Sequence, residues 1–146
     1  MAIDLNLFSG ANYQSTIIKY CNQLGWSISD INNSRTILRF EADSGITQTV
    51  FIIRYEDTLE FSCPSGLKFK NRQSISDGIS TYLLCENSKY KIGFWAIEEI
   101  NDKLVFSIMH NAEISLIDLH YFKAVVTRLF SECDKFEQAF SQALNN

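Results

Sequence analysis

Two histidines, four cysteines and a thin scatter of paired carboxylates are the side chains of this chain best suited to chemistry. His110 and His120 could be drawn together with Cys133 and Asp134 into a Cys-His-Asp set, because a thiol nucleophile needs a base and the base needs an orienting acid. Cys133, however, falls on an apolar helical stripe, where a thiol is buried and inert rather than activated, and no nucleophile elbow surrounds any Ser or Cys. A thiol-dependent enzyme is therefore the remote alternative. No two His, Cys or carboxylate residues share a ligand spacing such as His at i and i+4, so no metal is expected. Gly66 and Gly78 stand alone, which argues against a phosphate-binding loop and any nucleotide cofactor. Glu98, Glu99 and Asp102 read as solubility charges of a hairpin. Lys68, Lys70 and Arg72, joined by Phe69, form the one basic cluster and read as a solvated loop that could at most receive an acidic segment. The expectation is a protein with no catalytic residues, no cofactor and no metal.

The bulk properties agree with a binding role. The chain has 146 residues, 46% of them apolar and 13% aromatic with eleven Phe, ample material for one core. A net charge of -4 and an isoelectric point near 5.1 disfavour contact with nucleic acid or anionic lipid. The opening MAIDLNLFSG has no basic n-region or apolar h-region, and no window approaches 18 uninterrupted apolar residues, so a cytoplasmic protein without a membrane span is expected. Cys21, Cys63, Cys85 and Cys133 are far apart and sit in apolar patterns, as small buried hydrophobes do.

These side chains must be positioned by a single domain, residues 1–146, because no linker, repeat or low-complexity block divides it. Residues 12–24 place Tyr13, Ile17, Tyr20, Cys21 and Leu24 on one helical face, and Gly25 closes that helix. Short strands follow at 26–31, 35–42, 47–55 and 58–63, separated by the turn residues Asn32-Asn33-Ser34, Asp43-Ser44-Gly45 and Glu56-Asp57, and are read as an antiparallel meander. Pro64-Ser65-Gly66 ends it. A middle helix begins near Ser74, where Asp77 resembles a capping box, and runs to about Glu86. Residues 90–100 and 103–110 form a hairpin about Asn101-Asp102. From about Ser115, Leu119, Phe122, Val126, Leu129, Cys133, Phe136, Phe140 and Leu144 form the stripe of a long helix. The fold class is α+β: an antiparallel sheet of five to six strands with N-terminal, middle and long C-terminal helices.

The sheet has an unusual property. On the third strand Phe51, Ile53 and Tyr55 alternate with Val50, Ile52 and Arg54, and in the hairpin Phe94 and Ala96 alternate with Trp95 and Ile97. Leu104, Phe106 and Ile108 likewise alternate with Val105 and Met109. Both faces are apolar, and leaving either wet would forgo ~1.5–3 kcal/mol for each large side chain. Either the chain's own helices or tails cover the second face, or it meets a partner. Val50, Ile52, Arg54, Trp95, Ile97, Val105 and Met109 are taken as the candidate partner or dimer surface, with an adjacent strand edge as a further means of pairing.

The pattern TYLLCENSKYKIGFWAIEEINDKLVFSIMH, followed by a long helix carrying Cys133-Asp134-Lys135-Phe136, resembles the YbjN family of bacterial proteins. Leu83, Leu84, Asn87, Gly93 and Trp95 are similar to its Leu-Leu-x-x-Asn and Gly-x-Trp elements, and Asp134-Lys135-Phe136 is similar to its Asp-basic-aromatic segment. The resemblance implies the fold of class I type III secretion chaperones, small acidic cytosolic proteins that commonly dimerise and hold an extended segment of a client. It also implies a regulatory, sensory-transduction-like role without enzymatic activity. The expected function is thus a non-enzymatic, homodimeric chaperone-like or regulatory module that binds itself or another protein; the alternative is a dedicated type III chaperone for one effector.

Overall fold

The computed structural model describes residues 12–145, with side chains through Ser141. Leu144 of the expected stripe and the opening MAIDLNLFSG lie outside the residues so described. Helix α1 spans Tyr13–Leu24 and stops where Gly25 turns left-handed at φ 72°, with the Trp26 N–H closing on the Cys21 carbonyl at 2.8 Å. Strands β1 (Ile28–Ile31), β2 (Arg35–Glu41), β3 (Thr47–Tyr55) and β4 (Thr58–Phe69) form the antiparallel meander. Helix α2 is Asp77–Asn87, β5 is Phe94–Ile100, β6 is Lys103–Glu113, and α3 is Leu119–Asn145. The β5–β6 turn is built on Asn101 and Asp102 at φ 51° and 64°, the two left-handed residues that match the twist of a hairpin.

All six strands form one antiparallel sheet in the order β1-β2-β3-β4-β6-β5. The fold class is the expected α+β. Four local expectations are corrected. The fourth strand does not end at Pro64: it continues to Phe69 along β6, with a register shift between Pro64 and Lys68. The β3–β4 ladder ends at Phe51–Ser62, so Pro64 sits where one side of β4 is an edge and its missing N–H is tolerated. Lys68 consequently belongs to a strand rather than to a basic loop. The Ser74–Asp77 capping box does not form: Ser74 closes a separate turn, Arg72–Ser74, its N–H and hydroxyl bonded to the Asn71 carboxamide oxygen at 3.0 and 2.9 Å. Likewise α3 begins after Asp118, whose carboxylate accepts the Tyr121 N–H at 2.8 Å, while Ser115 lies in the short turn Ile114–Leu116. Finally, Cys85 is exposed, unlike the buried Cys21, Cys63 and Cys133.

The core lies between one sheet face and the helices. The α3 stripe puts Phe122, Val125, Val126, Leu129 and Cys133 fully inside, against β4, β3 and β6. Phe130 stacks on Phe40 at 4.4 Å between centroids and Phe136 tilts on Trp95 at 4.6 Å. The α1 side contributes Tyr13, whose hydroxyl lies 2.7 Å from the Thr36 hydroxyl and donates to the Ile52 carbonyl at 3.1 Å. Burial pushes that phenol up to about 12.

Candidate protein-binding surfaces

The residues read as potential chemistry are not brought together. His110 spends both ring nitrogens locally: Nδ1 accepts the Gly93 N–H at 3.1 Å and Nε2 meets the Tyr121 hydroxyl at 2.6 Å. His120 is exposed. Contact with the Cys63 thiol, together with burial, pushes the Cys133 thiol up, away from the nucleophilic form. Asp134 instead takes hydrogen bonds from the Ser44 hydroxyl and N–H and from Gln48 Nε2. One turn on, Glu137 accepts from Gln48 Nε2 at 2.9 Å and from the Gly66 N–H at 2.7 Å. This pair of carboxylates on α3 ties down the β2–β3 turn and the irregular part of β4, which is structural work. Among the described residues no three His, Cys, Asp or Glu side chains form a metal-holding group.

The segment from Leu83 to Trp95 builds a corner. Gly93 turns at φ 88°, and a Cβ there would lie 3.2 Å from Leu129 and 3.4 Å from Ile108, so both backbone conformation and space call for glycine. The Asn87 carboxamide then bonds both main-chain groups of Trp95, accepting its N–H at 2.6 Å and donating to its carbonyl at 3.1 Å. Leu83 is buried beneath α2, whereas Leu84 is 68% exposed.

Strand pairing sorts the expected partner surface into two faces. Ile52 pairs with Phe61, Cys63 with Ile108, and Ile108 with Trp95, so Val50, Ile52, Trp95 and Ile97 share the face that carries the helices. Val50 and Ile52 are fully buried there and Trp95 nearly so. Arg54 ends the same row, partly buried, its Nε without a hydrogen-bond partner. Val105 and Met109 lie on the opposite face, between Lys68 and Glu98 and between Ser62 and Phe94 respectively. The seven residues are therefore not one patch, and the helices α1 and α3 are what covers most of the first group.

The opposite face is the one that no helix of the described residues covers. Phe51 and Ile53 of β3, Pro64 of β4, Ile100 of β5 and Val105 of β6 line a groove of about 370 Å³ upon it. Its rim carries both signs of charge, with Glu60 and Glu98 against Lys68 and Lys103. Ser62 donates to Glu98 at 2.6 Å, and burial, then the neighbouring Glu98 carboxylate, push the Glu60 carboxyl up. On the same face Ser107 is fully buried between Pro64 and Ala96, its hydroxyl without a partner. Phe51 and Ile53 were readable as an apolar row; that theirs was the uncovered row was not.

A six-stranded antiparallel sheet with an N-terminal, a middle and a long C-terminal helix on one face is a YbjN-like fold. YbjN of E. coli, described as a candidate transcription regulator, matches with a TM-score of 0.58 at 14% identity, over 88% of this chain and 92% of that one. An uncharacterized protein from Methanothermobacter thermautotrophicus matches with a TM-score of 0.56 at 10% identity, over 89% of this chain and 96% of that one. No family model matches the chain, and no curated protein matches it in sequence. At such identities the likeness establishes the fold. Among the described residues no helix is long and apolar enough to cross a membrane.

Proposed function

We propose that this chain is a non-enzymatic protein-binding module that pairs with a second copy of itself through the helix-free sheet face and serves a regulatory or chaperone-like role. The observation that carries the reading is the groove of Phe51, Ile53, Pro64, Ile100 and Val105, an apolar floor with no helix over it. Its rim supports a self-complementary contact, since a two-fold interface sets each patch against its own copy and one patch here offers both acids and lysines. The regulatory part of the proposal is carried over from YbjN of E. coli, which shares the fold and is described as a candidate transcription regulator. An acidic chain of net charge -4 suits regulation by protein contact better than by contact with phosphate backbones.

Sedimentation velocity tests it. The expected result is a dimer at micromolar concentration that becomes a folded monomer on Phe51→Glu, because a carboxylate in the groove floor would lose its water on association. A wild-type protein that stays monomeric across that range would end the dimer reading.

A further inference from the structure

The two edges of the sheet are protected very differently. At one side β1 is four residues long and pairs irregularly with β2 near Ile28 and Asp30, short and kinked in the way that resists further pairing. At the other, β5 is seven residues long and pairs along β6 without a bulge. Main-chain groups of successive residues in a strand point to opposite sides. Those of Trp95 point away from β6, since both are bonded by the Asn87 side chain; those of Ile97 and Glu99 therefore point outward as well. No hydrogen bond of the described residues occupies them on that side. Asn87 thus occupies the first place of a missing strand and leaves the next two empty.

Beside this edge, on the helix side, α2 stands off the sheet. A cleft of about 460 Å³ runs between them, lined by Ile75, Ser80, Ile97, Glu99 and Leu104. It adjoins a second of about 170 Å³ that shares Ser80 and Ile97 and is floored by Trp95 and Phe106. Ile97 is 44% exposed although it lies on the helix-bearing face. The smaller cleft is mainly apolar, and the larger mixes Ile75, Ile97 and Leu104 with polar and charged groups. Asp77 and Glu99 set the charge of the larger one against the single base Arg72, and Glu98 stands on the other face of the same strand.

The geometry points to an extended segment of another polypeptide docking along β5 as a seventh strand. Its main chain bonds Ile97 and Glu99, alternate apolar side chains enter the cleft beside α2, and the intervening Lys or Arg residues, on the opposite face, meet Glu98. Main-chain pairing of this kind supplies affinity while the pockets select the sequence. A second copy of the chain does not fit the edge. Two-fold pairing centred on Ile97 would set Glu99 against the partner's Trp95, whose main-chain groups Asn87 already holds. Pairing centred on Glu98 would set the two Glu98 carboxylates directly opposite each other, a destabilising arrangement. The inference goes beyond the dimer reading and, Glu98 apart, uses different residues.

The test uses a capped seven-residue peptide alternating Lys and Val, with fluorescence anisotropy and residue-resolved amide exchange on the full chain. Expected are saturable binding and at least tenfold slower exchange at the amides of Ile97 and Glu99. Ile97→Pro should weaken binding at least tenfold while keeping the β5–β6 ladder, because the lost N–H points outward. Should that variant fail to fold, the same peptide with every amide N-methylated decides, and it should not bind. Unchanged exchange at Ile97 and Glu99 at the highest peptide concentration would overturn the inference. So would equal binding by the N-methylated peptide, protection confined to Phe51 and Ile53, or protection that needs no peptide and rises with protein concentration. A monomeric Phe51→Glu protein should still bind the peptide, which separates this inference from the dimer.

Discussion

His110 is the residue whose surroundings make the clearest statement about pH. Because Nδ1 accepts the Gly93 N–H, the proton of the neutral ring sits on Nε2 and is donated to the Tyr121 hydroxyl. A second ring proton would face the Gly93 N–H, donor against donor, and burial already lowers the His110 pKa from its ordinary 6.5. A folded-state pKa below the unfolded one means that the contribution to stability is complete above about pH 6.5 and shrinks as pH falls toward the folded value. Urea unfolding at pH 7.5 and pH 5 should therefore show a larger loss of stability for the wild type than for His110→Gln, whose amide keeps hydrogen-bonding capacity without titrating. Parallel losses in the two proteins would place the acid sensitivity elsewhere. Tyr121 does not compete for this role, because burial moves its pKa upward, further from the range in question.

Among the elements, the joint between α2 and β5 depends most on one side chain. Removing the Asn87 carboxamide strips both main-chain groups of Trp95 of their partners, and Asn87→Ala should cost about 1–3 kcal/mol. Water can reach a strand edge, so the lower half of that range is expected, together with faster exchange of the Trp95 amide. Unchanged exchange there would mean that the clamp does not persist in solution. Asn87, Gly93 and Trp95 stood out only through the likeness of their pattern to a family, since Gly93 answers to the distant Leu129, Ile108 and His110 and Trp95 to Phe136. The left-handed Gly25 and the Asn101-Asp102 turn were legible because they answer to their immediate neighbours. The helical stripe of α3 was legible for the same reason. The pairing of β4 with β6 was not, since it joins Cys63 to Ile108 across a whole helix and hairpin, and nothing local tells which alternate row turns inward. That one parity is why Val105 and Met109 part company with Val50 and Ile52. Pro64 misled in a related way: read alone it ends a strand, and only the early end of the β3–β4 ladder makes it harmless.

At the scale of the whole molecule, the three helices share one sheet face, and the dimer proposed above uses the groove on the other. The groove's charges say how two copies would meet. With Glu60 and Glu98 on one part of the rim and Lys68 and Lys103 on another, a two-fold axis through the apolar floor can bring acids of one copy to lysines of the other. Charge should then act chiefly on which copies pair, since exposed ion pairs add only about 0–1 kcal/mol each while opposed like charges reject wrong partners. Two variants make this measurable: an acidic one, Lys68→Glu with Lys103→Glu, and a basic one, Glu60→Lys with Glu98→Lys. Each alone should dimerise more weakly than the wild type, most visibly at low salt. Mixed in equal amounts they should form the heterodimer in clear excess over either homodimer, as read by native mass spectrometry. High salt should reduce that excess by screening the rim while leaving wild-type dimerisation largely unchanged if, as proposed, it rests on Phe51 and Ile53. If the two variants instead pair at random in the mixture, the rim lies outside the contact, and the two-fold axis must pass through another part of the molecule.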